Sequence, residues 1–68
     1  MKETLERIKI ILKDIRINEH DIKICHEYND YEDMGFYTQL RSDLDKELIE
    51  TIEKYIKEVE EGENSESN

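Results

Sequence analysis

His20, Cys25 and His26 are the classical soft-metal ligands of this sequence. A structural zinc site takes four ligands, usually in pairs at C-x2-4-C or H-x3-5-H spacing, and no such pair exists here. Cys25 and His26 are adjacent, so on an extended strand their side chains point to opposite faces. That geometry also excludes a Cys-His nucleophilic pair, which needs sulfur and imidazole within hydrogen-bond reach and a third group to orient the base. The plain reading is a partly buried histidine beside a small hydrophobe, with no metal and no cofactor.

Asp30, Glu32, Asp33 and Gly35 invite comparison with a calcium loop, since Gly35 falls at position six counting from Asp30. Met34 then stands at the fifth position and Arg41 at the twelfth, where oxygen ligands are required, so the loop does not fit. What remains is recognition chemistry. Tyr31 with Asp30, Glu32 and Asp33, flanked by Glu27 and Tyr37, combines aromatic area with clustered carboxylates and suits a groove rich in Arg and Lys. The competing reading is an ordinary solvated loop.

The elements that carry these residues follow from periodicity. Between Ser42 and Gly62, Leu44, Leu48, Ile49, Ile52, Tyr55, Ile56 and Val59 recur at three- and four-residue steps, which predicts an amphipathic helix. Ser42 or Asp43 would cap it and Gly62 would stop it. Residues 2–16 predict a second helix with Leu5, Ile8, Ile11, Leu12 and Ile15 on one face. Ile10 falls outside that face and is read either as a lone exposed apolar residue or as a contact to a second copy or a partner. The polar run 17–21 reads as a connection.

Beyond it the period changes to two. Ile22, Ile24, His26 and Tyr28 alternate with polar residues, as do Phe36, Thr38 and Leu40, which predicts two strands joined by residues 29–35. The expected fold is therefore α+β, in the order α-β-β-α, with both helices packed on one face of a two-stranded antiparallel hairpin over residues 1–62. The tail, 63–68, is expected to be disordered. Two open strand edges would call for a second copy or a target strand to complete the sheet.

Sixty-eight residues make at most one small domain, with a marginal core and little room for a cleft of about 300 Å³. No enzyme activity is expected. A single cysteine and the absence of a long apolar run fit a reducing, cytoplasmic setting. The net charge is −9, and it is uneven: residues 1–24 hold six Lys/Arg against five Asp/Glu, and the rest hold four against fourteen. Such a chain repels nucleic acid and acidic membranes and suits a basic protein partner. On the C-terminal helix the glutamates alternate with Lys46, Lys54 and Lys57, so the unbalanced charge lies elsewhere.

In class and size the chain resembles the small acidic nucleic-acid mimics of phages and mobile elements, such as some anti-restriction and anti-CRISPR proteins. That likeness implies an inhibitor that occludes the binding site of a basic protein, for instance a defence nuclease. The other expectation is a self-associating structural module, dimerising through a strand edge, a helix face or Ile10.

Overall fold

The computed structural model describes the backbone of residues 1–66 and the side chains of residues 1–62. It contains two helices and, among the described residues, no strand: α1 spans Lys2–Glu27 and α2 spans Tyr31–Glu66. They run antiparallel as a hairpin about 59 Å long and 14 Å by 12 Å across. The α+β expectation is thus overturned. The residues read as a connection, 17–21, and as strands, 22–28 and 36–41, are helical, and Ser42 and Asp43 lie inside α2 instead of capping it. The strand edges that would have recruited a partner do not exist. Gly62, expected to stop the helix, lies inside α2, which runs on to Glu66, and of the tail expected over 63–68 residues 67–68 lie outside the described residues.

The reason is a second periodicity that the alternation concealed. On α1 the least exposed side chains include Thr4, Ile8, Ile11, Ile15, Asn18, Ile22 and Cys25, with Asp21 beside them, and on α2 they include Met34, Tyr37, Arg41, Leu44, Leu48, Thr51, Tyr55 and Glu58. Both series advance by alternating three- and four-residue steps. That is the 3.5-residue repeat by which two helices keep one seam facing each other along their length. The run Ile22, Ile24, His26 alternates only locally; Ile22 and Cys25 continue the seam from Asn18. No proline or glycine interrupts 1–34.

The seam is apolar only in its middle. Ile11, Ile15 and Leu44 are buried together, with Leu48 packed against them. Polar groups flank this cluster. Asn18 Nδ2 donates to the Tyr37 carbonyl oxygen at 2.8 Å. At the far end Thr4 Oγ1 donates to Glu58 Oε1 at 3.0 Å. Glu58 Oε2 is 3.4 Å from the Met1 ammonium, an ion pair without hydrogen-bond alignment. Arg7 pairs with Glu47 across the helices, and Arg41 reaches Glu19 and Asp45, each at 3.0 Å.

The apolar stripe anticipated on the C-terminal helix is only half covered. Leu44 is buried and Leu48 and Tyr55 are partly so, whereas Ile49, Ile52 and Ile56 keep 58%, 38% and 49% of their surface exposed. Leu5 and Leu12 on α1 are likewise exposed. One neighbouring helix covers a seam of about two positions in every seven residues, and these residues lie beside it.

Candidate binding groove beside the helix bend

The bend is built by three residues with local reasons to be there. Asn29 has φ 56, the left-handed conformation that asparagine tolerates better than most side chains. Its N–H donates to the His26 carbonyl at 3.3 Å, and the Asp30 N–H to the Cys25 carbonyl at 2.8 Å. These two bonds close the end of α1 in a Schellman motif. Asp30 then opens α2, its Oδ1 accepting from the Asp33 N–H at 3.2 Å. Glu32 and Asp33 place negative charge in the first turn, where the helix dipole favours it. Part of the acidity expected to serve recognition therefore serves the turn.

The bend divides the residues singled out from the sequence. Asp30, Asp33 and Tyr37 come together in a depression of about 270 Å³, which Asp21, Ile24, Cys25 and Tyr28 complete. Glu27, at the end of α1, and Tyr31 and Glu32, at the start of α2, are exposed outside it. A second depression of about 180 Å³ shares Asp21 and is lined also by Asp14, Ile17, Asn18, Leu40 and Leu44. The two depressions meet at Asp21 on one side of the hairpin, and together, as the groove, they are lined by Ile17, Ile24, Leu40 and Leu44 and by the carboxylates of Asp14, Asp21, Asp30 and Asp33. Ile10 is exposed on the same side of α1 as Ile17 and Ile24, at seven-residue intervals.

Asp14, Asp21, Ile17, Ile24 and Leu40 were missed from the sequence. The signal was the same seven-residue interval, which joins Asp14 to Asp21 and Ile17 to Ile24 once helix replaces strand.

The groove is strongly negative by the behaviour of the groups within it. Burial, then Asp30, Asp33 and Asp21, push the Cys25 thiol above its ordinary pKa. Asp21, followed by burial and the neighbouring acids, pushes the Tyr37 hydroxyl up. The hydrogen bond and charge of Asp30 hold the Asp33 carboxyl above its usual value. In each of the three, neighbouring carboxylates contribute to holding the proton, beside burial at Cys25 and the Asp30 hydrogen bond at Asp33. A site of this kind favours a cation.

Among the described residues no group of three His, Cys, Asp or Glu side chains is placed to hold a metal ion. Cys25 is buried in the seam, while His20 and His26 are exposed. Among the described residues no helix is long and apolar enough to cross a membrane. Comparison with protein families, with curated proteins and with solved structures finds no match to this chain.

Proposed function

We propose that this chain is a non-enzymatic binding module whose groove takes a cationic, amphipathic segment of a basic protein, and that by covering that segment it keeps nucleic acid off its partner. The observation that carries this reading is the placement of Asp14, Asp21, Asp30 and Asp33 around Ile17, Ile24 and Leu40, supported by the upward push that Asp21, Asp30 and Asp33 give Cys25 and Tyr37. Ile17, Ile24 and Leu40 would take the apolar side of the segment, and the four carboxylates its lysines or arginines. Exposed Tyr31 and Glu32 at the bend extend the same surface chemistry beyond the groove. A nuclease of a defence system is the partner class that the likeness to phage-made mimics suggests. The working mechanism is occlusion, with charge steering to speed encounter.

The test uses a synthetic amphipathic helix of leucine and lysine, with its leucine and glutamate counterpart as control, titrated by fluorescence anisotropy. The lysine peptide should bind and the glutamate peptide should not. Affinity should fall at least tenfold as salt rises from about 0.05 M to about 0.5 M, and by a similar factor in the Asp21→Asn, Asp33→Asn double variant. Binding that ignores both the salt and the double variant would exclude the groove as the site.

A further inference from the structure

The side of the hairpin opposite the groove carries the uncovered apolar residues of its distal half: Leu5 and Leu12 on α1, and Ile49, Ile52 and Ile56 on α2. Leu5, Leu12 and Ile52 stand next to the seam, which gives each helix a three-position apolar face. A two-helix seam needs two such positions, whereas a helix with two neighbours in a bundle needs the third. These apolar residues occupy the distal half of the 59 Å hairpin.

We infer that this face binds a second copy of the chain, forming a four-helix bundle in which α1 of each copy lies over α2 of the other and both bends sit at the same end. The charge along the face's edges decides the occupant and its orientation. Lys2, Lys9, Arg16 and Lys23 recur every seven residues along α1, and Glu53 and Glu60 border the apolar row of α2. All are exposed. Lys9 has one neighbour, Glu6 at 3.4 Å on its own helix, an exposed pair that exchanges readily.

Placing α1 over α2 sets Lys2 and Lys9 of each copy level with Glu60 and Glu53 of the other, while Arg16 and Lys23 lie nearer the bend. Placing α1 over α1 would set the two cationic rows against each other. The chosen arrangement also superimposes the two apolar patches without a stagger, because both lie at the end away from the bend. The groove side cannot pair in this way, because Asp21 of each copy would be set against Asp33 of the other. In the resulting bundle both grooves remain open on opposite outer faces.

Sedimentation equilibrium of the full chain gives the mass directly. A dimer of the 8.3 kDa chain is expected at micromolar concentration, and a monomer at every concentration up to about a millimolar would overturn the inference. Ile52→Glu with Ile56→Glu should weaken the dimer at least a hundredfold, whereas Ile17→Glu should leave it intact; the reverse result would assign the dimer to the wrong face. If the double variant also loses helix, the charge pair still decides. Lys9→Glu and Glu53→Lys should each weaken the dimer several-fold and together restore it. A dimer strengthened by Lys9→Glu alone would mean that α1 faces α1, and the arrangement would be wrong. These outcomes do not involve the groove or its peptide.

Discussion

Asn18 Nδ2 donates to the main-chain oxygen of Tyr37 at 2.8 Å from within the helix-helix seam, where Asn18 is only 2% exposed. The bond ties the middle of α1 to the second turn of α2. The other amide atom, Oδ1, is buried without a partner. A lone polar residue in such a seam fixes register at a cost in stability.

Asn18→Leu should therefore raise the free energy of unfolding by about 1 kcal/mol, because the unpartnered acceptor disappears and an apolar side chain joins the Ile15 and Leu44 cluster. The same variant should lose uniqueness of pairing, seen as additional amide peaks in the NMR spectrum. Urea unfolding that shows Asn18→Leu less stable than the parent would mean the single hydrogen bond outweighs the buried orphan.

At the bend, Asp30→Ala removes the cap of α2 and should cost about 1 kcal/mol in urea unfolding. Asn29→Gly should be close to neutral, since glycine adopts positive φ freely, whereas Asn29→Ala should cost about 1 kcal/mol. Equal stability of the glycine and alanine variants would show that the left-handed residue does not govern this turn.

Glu58 gives stability a defined dependence on pH. The hydrogen bond from Thr4, working against burial and aided by the Met1 ammonium, holds its carboxyl below the ordinary value of 4.5. The folded state therefore binds this proton more weakly than the unfolded state. The contribution is complete above about pH 4.5 and is lost as pH falls from there through the lower folded value. Asp33 has the opposite sign: its raised pKa makes stability decline as pH climbs from the ordinary 3.8. Chemical unfolding between about pH 2 and about pH 6 should show the acid-side loss shrink in Glu58→Gln and in Thr4→Val. An unchanged profile in both would remove Glu58 as its source.

The sequence by itself determined that two amphipathic helices exist, that Ile11, Ile15, Leu44 and Leu48 lie on their inner faces, and that the charge is concentrated in the second half. These follow from one-dimensional spacing and composition, which need no partner to be read. The segment from Ile17 to Arg41 was different. Ile22, Ile24 and His26 satisfy a period of two over a few residues, while Asn18, Ile22 and Cys25 belong to a period of 3.5 that shows only over many, and a short window cannot separate the two. Asn29 and Asp30, which end one helix and begin the next, look the same in a strand connection.

Only the tertiary structure decided between the two periods, because the seam on α1 counts as a seam once α2 lies antiparallel against it. The same pairing selected which half of each apolar stripe is covered. It brought Asp21, from a supposed connection, beside Asp30 and Asp33. The groove is a relation between two helices, and neither helix contains it alone.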